Sequence, residues 1–512
     1  MLFNSPIFLF AFLPTVLLGY YVLGQRNARA AVLWLTASSF VFYGWWNPAF
    51  VLILAGSILF NFTVSVLLHA SADRRRRRNL VLAFGVATDL LVLFYYKYLA
   101  YLIGVVAGLG LTSATPPSIL LPLGLSFFTF TQIGFLIDCA QGEAHERGFI
   151  EYLLFVSFFP HLIAGPILHH REIMPQFARP ELCQFRWASL ATGSAIFFLG
   201  LAKKVVLADS LIGPIGSGFS HPAELGVTDA WLTAVGYSLQ LYFDFSAYSD
   251  MAIGLAYMFN VRFPLNFNSP YKSRSIIEFW QRWHMTLTRY LTLYVYNPLA
   301  IHIARRRAMR AGTNASIPRS KKTLSAFVPS IVVPTLTTML IAGIWHGAGL
   351  QFVIFGLLHG FYLVVNHAWR LFGPARSKAE RSWIGSWSTA LLQTSLTYMA
   401  VIVADIFFRA TSAANGVALV SGMLGFGSGL ADSLWTDKNL VTLVLCGMIA
   451  FCAPNVYQLM RGYEVALGQP KPVGDLMPRW RPSPAWAVGM GIVAAFAIAN
   501  LWNVSEFIYF QF

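Results

Sequence analysis

The chain has 512 residues, of which 57% are hydrophobic and only 11% charged, with a formal net charge of +15. A soluble protein carries about a quarter charged residues, so this composition excludes an ordinary water-solvated enzyme. The excess Lys and Arg sit in short links between apolar runs, at Arg26 and Arg29, at Arg74 to Arg78, and at Arg305 to Arg307 with Arg310, Arg319, Lys321 and Lys322; that placement marks cytoplasmic loops beside anionic lipid and not a nucleic-acid surface.

Apolar stretches of about 20 residues, long enough to cross a bilayer, recur from end to end. In hydrocarbon such segments must satisfy their own backbone hydrogen bonds, so they are helices. The first run, Pro6 to Gly24, lacks a basic leader and a cleavage site and reads as a retained helix. It ends at Arg26 and Arg29, which puts its start outside the cytoplasm. Ala31 to Trp46 returns outward, and Ala49 to Leu68 comes back to the five-arginine run, a topology anchor. Further spans follow near 80–108, 118–137, 151–168, 188–207, 229–257, 324–344, 350–369, 386–408, 438–459 and 484–502. Several hold Pro, Gly or acids, including Pro122, Pro160, Gly165, Pro166 and Asp244, and are re-entrant candidates.

The expectation is an all-α polytopic integral membrane protein with about 11 crossings. It is a single domain, residues 1–512, with its N-terminus on the extracytoplasmic side. The links at 305–322, 373–385 and 466–482 are too short to be domains. Cys139, Cys183, Cys446 and Cys452 are scattered, without metal or disulfide spacing.

Ionisable residues inside apolar segments are costly and mark function or a structural pair. Asp244 and Asp250 are six helical positions apart, about 600° of turn, so their carboxylates face different ways and do not form an acid/base pair. Asp244 shares a face with Tyr248, which suits a hydrogen-bonded structural role. The next segment, residues 266–290, is polar, aromatic and basic, and cannot face lipid. It carries His284 beside Trp283, an interfacial or a catalytic histidine.

Residues 324–370 run between two basic links. If both links are cytoplasmic, this stretch crosses an even number of times, with its break at Gly343 to Gly349. His346, flanked by Trp345 and Gly347, then lies far from the cytoplasmic boundary. It is either a packing histidine or a group suited to proton transfer near neutral pH. On a continuous helix His346 and His359 would diverge by more than a right angle, their 13 positions turning about 1300°, and no Cys or carboxylate stands at metal spacing beside them. No metal is expected.

LPLGLSFFTFTQIGFLID (121–138), FVSFFPHLIAGPILHHREIMPQ (155–176), GLAKKVVLAD (200–209) and YFDFSAYSDMAIGLAYMF (242–259) resemble, in order, strings of the bacterial membrane-bound O-acyltransferase family. So do NFNSPYKSRSIIEFWQRWHMTLTRYL (266–291), GIWHGAGLQFVIFGLLHG (343–360), FFRA (407–410) and FIYFQF (507–512). The set is similar to the alginate O-acetyltransferase branch and spans nearly the whole chain. One departure is TLTRYLTLYVYNPLAIHIARRR, where the branch has a double glycine, followed here by a basic insertion at 305–322.

The resemblance implies a ring of helices and re-entrant segments around a central cavity where a cytoplasmic donor meets an extracytoplasmic acceptor. It implies that His346 is the histidine required for acyl transfer and His284 the family's second histidine. Trp345, Gly347, Trp283, Arg282, Asn266, Tyr271 and Asp244 are the accompanying substrate-contact candidates. The implied donor is an acyl thioester, acetyl-CoA above all, with no cofactor held by the protein. The implied acceptor is a hydroxyl of an extracytoplasmic polysaccharide or of a relay protein such as a periplasmic, esterase-like acetyltransferase. Lys272, Arg274 and Arg282 are candidates for the donor's phosphates. The competing readings are D-alanyl transfer toward teichoic acid, a transporter, for which the repeat relating two halves is missing, and a non-catalytic scaffold for a periplasmic acetyltransferase.

Overall fold

A computed structural model describes residues 1–144, 148–310, 323–373, 383–429, 434–469, 479–501 and 507–508. Arg319, Lys321 and Lys322 of the basic insertion, most of the 373–385 and 466–482 links, and four of the six residues of FIYFQF lie outside the described residues. The architecture is helical, and the strand pairing among the described residues is one short parallel contact, Phe263 against Ala466 and Pro264 against Leu467. Among the described residues, six helices are long and apolar enough to cross a membrane: Phe8–Arg26, Ala49–His69, Arg75–Lys97, Leu324–His346, Leu350–Phe372 and Trp387–Arg409. The protein is therefore a multi-pass, all-α membrane protein. The other predicted spans are shorter, broken, or carry buried polar residues.

Two breaks, and the helical arginine run, differ from the sequence expectation. The 80–108 run is two helices meeting at Tyr98, Arg75–Lys97 and Leu99–Gly108. The first has 23 residues and already extends about 35 Å, beyond the about 30 Å hydrocarbon core. Its first turn contains Arg75 to Arg78, so most of the arginine run is helical and not a loop. The 118–137 run becomes helical only at Leu125, because Gly124 takes φ +70° and a Cβ there would stand 2.5 Å from the Leu162 carbonyl oxygen.

The chain divides into two compact units. The first comprises Met1–Asp209, Phe243–Leu265 and Asn455–Gln511. Its core is aromatic: Phe8 packs between Phe3, Phe42, Phe159 and Phe197 with ring centroids 5.1 to 6.3 Å apart. Adjacent lysines neutralise the buried Asp244 and Asp250. Lys204 Nζ lies 2.6 Å from Asp244 and 2.8 Å from Asp209, while Lys203 Nζ lies 2.6 Å from Asp250. An unpaired charge in such a place costs several kcal/mol, about 3–5 when one partner is removed.

The second unit comprises Ser210–Tyr242 and Asn266–Pro454. Its centre is a helical hairpin, Leu324–His346 against Leu350–Phe372. The two helices approach through Gly343 and Gly356, where an added Cβ would stand 2.3 Å from the carbonyl oxygens of Phe352 and Met339. Such small residues let membrane helices pack backbone to backbone.

Candidate active site

The hairpin turn fixes His346. The helix ends on this residue because Gly347 is extended, at φ −170° and ψ 164°. Gly349 follows at φ +155°, a conformation open essentially to glycine. A Cβ on Gly347 would sit 2.1 Å from the Phe352 ring, so the turn tolerates no side chain there. His346 is 5% exposed, and its imidazole is enclosed edge-on by Trp345 at 4.8 Å, Phe408 at 5.0 Å and Phe355 at 5.8 Å.

His284 is held differently. It takes φ +41° and ψ 52°, left-handed backbone that non-glycine residues seldom adopt, directly before the helix Met285–Leu291. Asn266 fastens it there. The Asn266 backbone carbonyl accepts from Met285 N–H at 2.9 Å, and its side-chain oxygen accepts from the Thr286 hydroxyl at 2.9 Å and from Thr286 N–H at 3.4 Å. The same Oδ1 lies 3.0 Å from His284 Nδ1. A backbone N–H only donates, so the Asn266 atom facing it is the oxygen, and Nδ1 of His284 carries the ring proton. The lone pair is then on Nε2. Burial lowers this imidazole from its ordinary pKa to about 3, so it is neutral at physiological pH.

The two histidines are linked by a series of ring contacts within the second unit. From His284 it runs to Phe267 at 6.4 Å, Trp283 at 5.1 Å and Phe279 at 5.6 Å. It continues to His359 at 6.1 Å, Phe355 at 4.9 Å and His346 at 5.8 Å. In the sequence His359 is weighed only as a metal partner of His346 on one continuous helix. The break at Gly347 to Gly349 removes that premise, and the returning helix carries His359 into the series through Phe355. No signal in the linear spacing shows this; the glycines on either side of Ala348 are the nearest to one.

Other sequence candidates already have protein partners. Tyr271 donates its hydroxyl proton to the Ser238 carbonyl at 2.6 Å and is packed among Tyr242, Trp283 and Tyr398. Arg282 pairs with Glu278 at 2.7 Å, one helical turn away, and Lys272 donates to the Ala453 carbonyl at 2.6 Å. Asp244 belongs to the first unit, where Lys204 and the Ile508 N–H occupy its two oxygens. Asn266 is a support for His284, Trp345 walls the His346 imidazole, and Trp283 packs on Phe267, which stacks on His284.

A cavity of about 310 Å³ lies beside this array, between Trp280, Thr288 and Gln281 on one side and Thr335, Thr338 and His367 on the other. Trp280 separates it from His359, its ring 5.0 Å from the imidazole. Among the described residues, Trp280 Nε1, Thr288 Oγ1 and Thr338 Oγ1 are buried without a hydrogen-bond partner. Buried polar groups are seldom left so, and such a set in a cavity wall suits a polar occupant or water.

In the first unit, Asp138, His169 and His170 place three ligand-type atoms within 4.8 Å of one another. Both Nε2 atoms converge on Asp138 Oδ2, at 3.1 and 2.9 Å. His169 Nδ1 accepts from Arg171 N–H at 3.3 Å, so its proton is on Nε2, the tautomer that donates to the carboxylate and does not ligate through that atom. The cluster reads as a hydrogen-bonded clasp.

Comparison with known proteins bears on the family of the chain. The sequence profile of the membrane-bound O-acyltransferase family matches residues 86–312. The chain is 37% identical to a peptidoglycan O-acetyltransferase of Helicobacter pylori, over 83% of this chain and 80% of that protein. It is 34% identical to the probable alginate O-acetylase AlgI of Pseudomonas aeruginosa, over 88% of this chain and 80% of that protein. A teichoic acid D-alanyltransferase of Streptococcus thermophilus is 28% identical over 56% of this chain and 68% of that protein.

Proposed function

Because the chain belongs to the membrane-bound O-acyltransferase family, we propose that this O-acyltransferase moves an acetyl group from cytoplasmic acetyl-CoA to a hydroxyl of an extracytoplasmic glycan, with His346 as general base. The observation that carries the reading is the glycine-imposed break that ends a membrane helix on His346 and walls its ring with aromatic side chains.

The step balances as follows. The imidazole takes the proton of the acceptor hydroxyl while its oxygen attacks the thioester carbonyl carbon. The tetrahedral intermediate collapses with cleavage of the C–S bond, and the departing thiolate takes the proton from the imidazolium, leaving ester and free thiol. The C-terminal end of the Val333–His346 helix carries partial negative charge, which favours the ring while it is cationic. His284, with its lone pair on Nε2, acts as a hydrogen-bond acceptor. It orients a hydroxyl or amide N–H and does not supply the oxyanion's donor. The cavity beside Trp280 receives part of the thioester's polar arm, whose amides and hydroxyl match Trp280 Nε1, Thr288 and Thr338.

The acceptor is a polymer of the kind named in the relatives, peptidoglycan or an alginate-like polysaccharide, reached directly or through a periplasmic relay protein. O-acetyl transfer is favoured over D-alanyl transfer because the O-acetyltransferase relatives are more alike and match far more of the chain. The reaction is placed at the inner membrane, with the N-terminus periplasmic. Reconstituted protein given acetyl-CoA labelled in the acetyl group tests the donor. Label passing to added glycan or relay protein is expected, and label retained on CoA while a carrier-protein thioester is consumed would overturn this reading.

A further inference from the structure

The first unit has a second cavity, far in character from the polar one. It is a groove of about 600 Å³ between the helices Trp187–Ala202 and Pro484–Ala499, within the about 300–1,000 Å³ typical of ligand sites. Ala191 and Ala195 open it from one helix and Ala487, Gly491 and Ala494 from the other, so its walls are almost wholly apolar. A Cβ built on Gly491 would meet nothing within 4 Å. One end differs: there Trp480, Arg481 and Trp486 form the rim.

We propose that this groove binds an anionic phospholipid, with acyl chain laid along it and phosphate on Arg481. The dimensions fit one leaflet. From Pro484 to Ala494 is about 15 Å along a helix, half of the about 30 Å hydrocarbon core. Over that length the volume gives a cross-section of about 40 Å², too narrow for an α-helix of about 80 Å² or more but wide enough for lipid chains. The groove therefore does not seat a transmembrane helix of a second copy.

Charge selects the headgroup. Arg481 and its neighbour Arg479 are both exposed, and among the described residues neither has an ion pair or hydrogen bond to another side chain. Tryptophans flanking a basic residue at the end of an apolar run are the usual furniture of the membrane–water boundary. Arg461, Arg479 and Arg481 mark this end as cytoplasmic, the side whose leaflet carries anionic lipid.

Native mass spectrometry of the purified full-length protein, exchanged into phosphatidylglycerol or phosphatidylcholine of identical chains, tests the proposal. The unaltered protein is expected to retain phosphatidylglycerol about fivefold better, the effect of one basic residue near an anionic surface. Arg481→Gln is expected to erase the preference while some lipid stays bound, Arg481→Lys to keep it, and Gly491→Phe to lose both lipids by filling the groove. Equal retention of the two lipids by the unaltered protein overturns the proposal without recourse to any variant. So does an unchanged preference in Arg481→Gln, or undiminished binding in Gly491→Phe.

Discussion

His284 Nδ1 stands 3.0 Å from Asn266 Oδ1, and Thr286 shares that oxygen. This contact sets the ring's tautomer and holds a backbone conformation that histidine does not otherwise favour. Asn266→Ala is expected to lower kcat by about 10²-fold, the scale of a small misplacement at a reacting centre, with the protein still folded. Circular dichroism and monodisperse elution check the fold, and labelled acetyl transfer checks the rate.

The pH dependence tests the part of His284. Buried His284, lowered to about 3, stays neutral between pH 5 and 8. Its folded value is depressed below the unfolded one of about 6.5, so the unfolded chain binds more protons and stability falls as pH drops below about 6.5. Asn266→Asp places a carboxylate on Nδ1 and raises the ring's affinity for a proton. The variant is expected to lose activity toward acid pH at a higher pH than the parent, as Nε2 becomes protonated. A merely structural role for Asn266 would leave the shape of the profile unchanged.

Gly349 has φ +155°. Gly349→Ala is expected to cost about 1–3 kcal/mol of backbone strain, lowering Tm and displacing His346 together. A variant with normal Tm and normal transfer would show that the turn is not the feature that positions the imidazole.

How much of this was legible in the sequence depends on distance along the chain. The membrane class, the hairpin and its break could be read because apolar runs, basic links and the Gly-Ala-Gly sequence after His346 are local signals. The pairing of Lys204 with Asp244 could not, since 40 positions separate them and helical phase says nothing about which helices meet. The same limit hid the role of Asn266, 18 residues from His284, and made Tyr271 and Arg282 look available when Ser238 and Glu278 already engage them. His359 joins the ring series only through the turn at Gly347 to Gly349, which helical phase does not describe.

The ion cluster predicts a stability effect apart from chemistry. Lys204→Met strands Asp244 and Asp209, both buried, and is expected to cost about 3–5 kcal/mol, seen as reduced membrane-inserted protein. Adding Asp244→Asn should recover part of that loss, as a double-mutant cycle would register.

Thr338→Val and Thr288→Val test the polar cavity. Each removes one hydroxyl from the wall, and KM for acetyl-CoA is expected to rise about three- to tenfold, the scale of one neutral hydrogen bond, with kcat near the parent value. Equal KM values in parent and variants would remove the donor from this cavity.

The most direct test is acetyl transfer by His346→Ala and His346→Gln in membranes holding parental amounts of protein. Loss of about 10²- to 10⁴-fold in both variants, as expected for removal of a general base, is the predicted result. Transfer at the parental rate by either one would contradict the assignment of proton transfer to this imidazole.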